Sequence, residues 1–125
     1  MRNIEHGVSY NPGYDVLGYL SCDEVLASVS NAGGLGVIGP NAGQRKATPV
    51  VIETGERFRQ EIKKVRELTS KTFGVNLCVD APGTPELIIK FSEQMLKVCL
   101  EEKVPVVVMT GHSPDYTNQL KDTGI

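Results

Sequence analysis

Residues 28–39 read SVSNAGGLGVIG, and these twelve residues decide the fold. They compress a helix end, a glycine stop and a buried strand. The helix arrives on Val25, Leu26 and Val29. Gly33 and Gly34 supply the left-handed backbone that closes a helix. Leu35, Val37 and Ile38 form the short apolar run of a strand buried on both faces. Gly39 ends that strand, where a residue without a side chain lets backbone or ligand come close.

Working outward, Ser21 and Glu24 stand in capping-box spacing at the start of the first helix, which should run to about Asn31. A loop with Pro40, Asn41 and Gly43 follows the strand. Residues 48–52 are ambiguous, because Pro49 argues against a central strand. Phe58, Ile62, Val65 and Leu68 fall at helical spacing and predict a helix over 55–69. FGVNLCV (73–79) reads as a strand. The turn 80–83 leads to Thr84 as N-cap and Pro85 at the first helical position, for a helix reaching about Lys103. Residues 104–109 read as the next strand and 110–113 as a loop. Ser113 then caps a last helix that opens on Pro114 and stops at Gly124. Apolar, β-branched strands centred near Val37, Val75 and Val106 thus recur about 30 to 40 residues apart, one βαβ unit each. The expected class is α/β with a parallel sheet, in a single domain over 1–125.

Composition narrows the function. The chain has 125 residues, 40% of them apolar, and a net charge of −2. That balance argues against a nucleic-acid surface. The basic stretch from Arg57 to Arg66 is interleaved with Glu61 and flanked by Glu56 and Glu67, as on a solvated helix face. No apolar run approaches the length of a membrane span. Residues 1–20 lack the pattern of a signal peptide. The three cysteines, Cys22, Cys78 and Cys99, show no zinc spacing. A reducing, cytoplasmic setting is expected, with Cys78 and Cys99 as small core residues.

Ligands of parallel α/β proteins gather at the carboxyl ends of the strands. Here those ends are Gly39, Asn76, and Met109 to His112. Asn76 stands out, because a carboxamide inside an apolar strand is costly unless its donors and acceptor are satisfied. Two readings stand side by side: a bond to a neighbouring loop, or a ligand with complementary edges. Gly111 is either a plain turn glycine or a place where a planar ring meets the backbone. His112 is a lone loop histidine. The glycines at 33–39 precede a strand, whereas Rossmann and Walker fingerprints must open a helix.

The run at 28–39 resembles the helix-to-second-strand junction of the nitronate monooxygenase (2-nitropropane dioxygenase) family, whose members are flavin-dependent TIM barrels. Flavin-type enoyl-acyl-carrier-protein reductases carry much the same junction, and inosine monophosphate dehydrogenases do more loosely. FGVNL (73–77) resembles the family's third-strand motif, which implies that Asn76 is an FMN ligand. Thr110 and Gly111 resemble the fourth-strand end beside the flavin, with Met109 in place of a first threonine. Counting back, Tyr14, Asp15, Val16 and Leu17 align with the end of the family's first strand, and Leu17 stands in for its methionine. Asp15 replaces a small residue, so 1–20 is an atypical N-terminal segment. The family's Gly-Gly-His segment has no match, so no catalytic role passes to His112.

The resemblance implies the N-terminal part of a TIM (β/α)8 barrel and an FMN-dependent oxidation of nitronates with oxygen. The alternative within the fold is enoyl-acyl-carrier-protein reduction with NAD(P)H. A complete barrel needs about 250 residues. A partial barrel would leave a sheet edge uncovered, through which self-association is expected. Two rivals remain: a non-catalytic half-barrel that needs a partner, and an open flavodoxin-like sheet.

Overall fold

The structure is a computed structural model, and it describes residues 22–39, 41–42, 48–79, 81–111 and 113–125. Helices and strands alternate in the order α1 (Cys22–Asn31), β1 (Gly36–Ile38), α2 (Val51–Leu68), β2 (Phe73–Cys78), α3 (Glu86–Glu101), β3 (Val106–Thr110) and α4 (Pro114–Asp122). The sheet order is β1-β2-β3, and both pairings are parallel. Gly36 lies opposite Phe73, and Ile38 opposite Val75. Val75 in turn lies opposite Val107.

Strand alternation sorts the sheet into two faces. Ile38, Phe73, Val75 and Leu77 join one core with Leu26 of α1, Phe58, Ile62 and Val65 of α2, Met95, Leu96, Val98 and Cys99 of α3, and Leu120 of α4. Val107 and Met109 pack against it. The helices therefore cover one face, while Val37, Gly74, Asn76, Val106 and Val108 stand on the other. An open doubly wound sheet reverses its strand order and takes helices on both faces. Sequential parallel strands with helices on one face are the arrangement of a barrel wall.

Three of the four helices among the described residues stop in the same way. After α1, Gly33 takes φ +93, its N–H bonds to Ser30 O, and Gly34 N–H reaches back to Val29 O. After α4, Gly124 takes φ +84, with its own N–H on Lys121 O and Ile125 N–H on Leu120 O. After α3, Lys103 takes the same role at φ 48, and Val104 N–H bonds to Cys99 O. This pairing is the Schellman motif, which normally uses glycine. Lys103 is held there by its surroundings. Arg66 of α2 donates to the carbonyls of Glu102 and Lys103 and to the Glu102 carboxylate. Arg59 joins the same clamp, donating to Glu102 Oε1 at 2.5 Å and to Glu101, and it holds the Glu101 carboxyl below its usual range.

Several boundaries differ from expectation. α2 begins at Val51, because the Thr48 hydroxyl accepts from Val50 N–H and donates to Glu53, organising the ambiguous stretch as a helix start. Thr84 does not cap α3. Its hydroxyl and N–H both turn back to Ala81 O across Pro82 and Gly83 (φ +89), and Pro85 occupies the cap position. A residue before proline is steered away from helical backbone. Leu35 was expected inside the strand. It lies before it and is 36% exposed, because the helix stop runs through Gly34 and only Gly33 is left-handed. β3 starts at Val106, two residues later than read, since Val104 completes the stop of α3 as a buried residue. Ser113 does cap α4, accepting from Tyr116 N–H. Ser21 lies outside the described residues.

The junction at 28–39 depends on Gly36. A Cβ there would sit 2.4 Å from the Leu26 carbonyl oxygen, so α1 and β1 touch through backbone. The Gly36 N–H donates to the buried Ser30 hydroxyl at 3.1 Å. Gly36→Ala should cost about 3 kcal/mol, read as a lowered urea midpoint, because overpacked backbone has no flexible end to yield. A midpoint within error of wild type would show that the contact can relax. Cys99 makes a second expectation. Burial pushes its thiol from 9.0 up to about 12. The folded state then keeps the proton that the unfolded chain loses, so stability falls as pH rises above about 9. Between pH 8 and 10.5 wild type should lose about 2 kcal/mol more than Cys99→Ala. Equal losses would remove Cys99 from the alkaline transition.

Candidate functional site

The parallel register sets the carboxyl ends of the three described strands on one side. Asn76 follows Val75, the partner of Ile38, so it lies level with the buried Gly39. Across the other edge Asn76 faces Val108, and Cys78 faces Thr110. Gly39, Asn76, Thr110 and Gly111 are thus brought to one end of the sheet.

Asn76 is 6% exposed and sits on the face away from the helices. Its Oδ1 accepts from Thr110 Oγ1 at 2.9 Å. Among the described residues no acceptor is hydrogen-bonded to its Nδ2, and no fully buried side-chain nitrogen or oxygen lacks a partner. The amide nitrogen is therefore at the accessible end of the group. One half of the carboxamide is satisfied within the sheet, and the other half makes no hydrogen bond among the described residues.

Thr110 is fixed by more than its strand register. Val79 N–H donates to Thr110 O at 2.9 Å, extending the β2–β3 pairing past the end of β2. Gly111 then turns at φ +105. A Cβ on Gly111 would lie 3.2 Å from Val79 O and 3.3 Å from Val79 Cβ. The bare Gly111 is thus required by the chain itself, through its conformation and the close passage of Val79. Leu17 and His112 lie outside the described residues. Among the described residues no group of three or more His, Cys, Asp or Glu side chains is arranged to hold a metal. No helix is long and apolar enough to cross a membrane among them.

Sequence reasoning singled out Asn76, Thr110 and Gly111 separately. It missed their connection, and it missed Val79, whose backbone locks Thr110. The strand register was the missing signal, because the pairing of Asn76 with Val108 and of Cys78 with Thr110 puts the hydroxyl beside Asn76.

Comparison with known proteins bears on most of the chain. The sequence model of the nitronate monooxygenase family matches residues 7–122. The probable nitronate monooxygenase of Staphylococcus haemolyticus (strain JCSC1435) is 50% identical over 56 residues, 45% of this chain and 13% of that protein. The structure of FabK from Thermotoga maritima is 34% identical with a TM-score of 0.61, over 85% of this chain and 29% of that one. Nitroalkane oxidase from Streptomyces ansochromogenes superposes with a TM-score of 0.63 at 23% identity, over 94% of this chain and 37% of that one. At that identity the likeness speaks for fold alone. Both are TIM barrels, and the described elements form a part of that barrel. The chain spans well under half the length of each of these relatives.

The Gly111 turn is open to a direct test. Gly111→Ala should cost about 2 kcal/mol, because it meets both a left-handed φ and Val79. Hydrogen exchange at the Val79 amide should speed up as its bond to Thr110 loosens. Gly83→Ala also meets a left-handed φ, but nothing lies within 4 Å, so its cost should be about half. Equal costs would mean that Val79 does not constrain Gly111.

Proposed function

The chain belongs to the nitronate monooxygenase family, and from that membership we propose that it forms the flavin-facing part of an FMN-dependent oxidoreductase that oxidises nitronates with oxygen. The observation that carries this reading is Asn76, a buried carboxamide at the carboxyl end of β2, held by Thr110, with Nδ2 left for a ligand. The described residues suit a flavin ring. They offer an uncharged donor, an apolar strand face below it, and a glycine turn beside it. Asn76 and Gly111 would meet the ring edge, with Thr110 beside them at the end of β3 and Leu17, which aligns with the end of the family's first strand, as a further contact.

When bound, FMN supplies the redox chemistry, taking electrons from the organic substrate and passing them to oxygen. The residues of this chain bind and orient. Asn76 donates from Nδ2. Thr110 holds the Asn76 amide. Apolar Val37 and Val108, on the same face, keep the neighbourhood poor in competing hydrogen bonds. A small-molecule substrate and a cytoplasmic setting belong to the same proposal. A second reading, enoyl-acyl-carrier-protein reduction with NAD(P)H, is favoured by the 28–39 junction, which that enzyme type shares.

Co-purifying or reconstituted flavin in the absorption spectrum supports the proposal. Oxygen uptake with a nitronate against NAD(P)H oxidation with an enoyl thioester separates the two activities. Asn76→Leu should weaken FMN binding about tenfold, the loss of one buried hydrogen bond to a ligand, with an unchanged circular dichroism spectrum. Equal affinity in a folded variant would make Asn76 purely structural.

A further inference from the structure

A carboxamide has a donor end and an acceptor end of nearly equal shape, so a site built on asparagine must settle which end meets the ligand. In this structure the neighbour that settles it is Thr110. Its hydroxyl lies 2.9 Å from Asn76 Oδ1 and is placed as the donor. Thr110 is a β-branched residue, stiff about its first side-chain torsion. Its backbone is held by pairing with Cys78, by the bond from Val79 N–H, and by the left-handed turn at Gly111. The hydroxyl therefore stands ready before any ligand arrives.

We propose that Thr110 is a positioning residue that orients the Asn76 carboxamide, so that Nδ2 faces the site and the ligand atom meeting it is a hydrogen-bond acceptor. The inference rests on the flavin reading above and deepens it. A flavin offers two kinds of acceptor: the carbonyl oxygens and lone-pair nitrogens of its ring, and the oxygens of the FMN phosphate. The role assigned to Thr110 is exerted through Asn76.

The test compares wild type, Thr110→Val, Thr110→Ser and Asn76→Asp. Each is titrated with FMN and with riboflavin by fluorescence, while the Asn76 side-chain amide is followed in ¹H–¹⁵N spectra. Valine keeps the shape of threonine and removes the hydroxyl, and serine restores the hydroxyl. Thr110→Val should bind about tenfold more weakly. Its Asn76 Nδ2 signals should no longer shift on flavin addition, and Thr110→Ser should recover both. Asn76→Asp should bind more weakly still, because a carboxylate presents only acceptors. A Thr110→Val penalty shared by riboflavin puts the acceptor on the ring, and one confined to FMN puts it on the phosphate; either supports the proposal. Wild-type affinity in Thr110→Val or Asn76→Asp would overturn the positioning role while leaving the flavin reading intact. A wild type that binds neither flavin would overturn both.

Discussion

A carboxamide in a strand that is paired on both edges and buried on both faces has few places to put its polar atoms. Asn76 is in that position: β2 is the central strand, and Asn76 lies among Gly74, Val75 and Leu77, all buried. An unpaired amide there would cost a few kcal/mol. The sheet meets half of that demand with the Thr110 hydroxyl. This works only because β3 runs parallel to β2 and extends two residues beyond the level of Asn76. The parallel pairing, the length of β3, the Val79 clamp and the bare Gly111 all serve that one bond.

The same geometry depends on how each helix hands over to the next strand. Gly33 and Lys103 each end a helix three residues before a strand begins, at Gly36 and Val106. The repeated stop returns the chain to the same side of the sheet. α2 ends without it, at Thr69, and packs on the same face, so the common face follows from like-handed crossovers between sequential strands, which leave Asn76 on the other. Gly36 allows α1 to meet β1 through backbone. The Arg59–Glu102–Arg66 clamp allows lysine to hold a turn that elsewhere uses glycine. The Asn31 side chain joins the ends of α1 and α2, donating to Leu68 O and accepting from Thr69. These are local devices, yet together they set the strand ends that form the candidate site.

Much of this architecture was legible in the residues. The β-branched runs at 73–79 and 104–109 alternate with helical stripes, and the order alone implies parallel strands. Gly33, Gly124 and Ser113 mark their helix ends by ordinary chemistry. The misreadings share a cause: they sit where two local preferences compete. Thr84 can cap a helix or close a turn, and Pro85 decides for the turn. Lys103 carries no turn signal in the sequence, and the Arg66 side chain that bonds to its carbonyl comes from another helix. Leu35 is apolar by pattern but falls in the connector that the helix stop requires. At the site, Asn76 was conspicuous as a polar residue in an apolar strand. Its partner was not, because register depends on pairing across 34 residues of chain. Leu17, Ser21 and His112 lie outside the described residues.

In the proposed site the carboxyl end of β2 presents the Asn76 amide nitrogen to a flavin. The most direct measurement is a crystal structure of the protein loaded with FMN. The flavin is expected at the carboxyl ends of β1, β2 and β3, with an acceptor atom within hydrogen-bond distance of Asn76 Nδ2 and Thr110 still donating to Oδ1. A flavin bound at the amino ends of the strands, or one in place with Asn76 turned away from it, would contradict it.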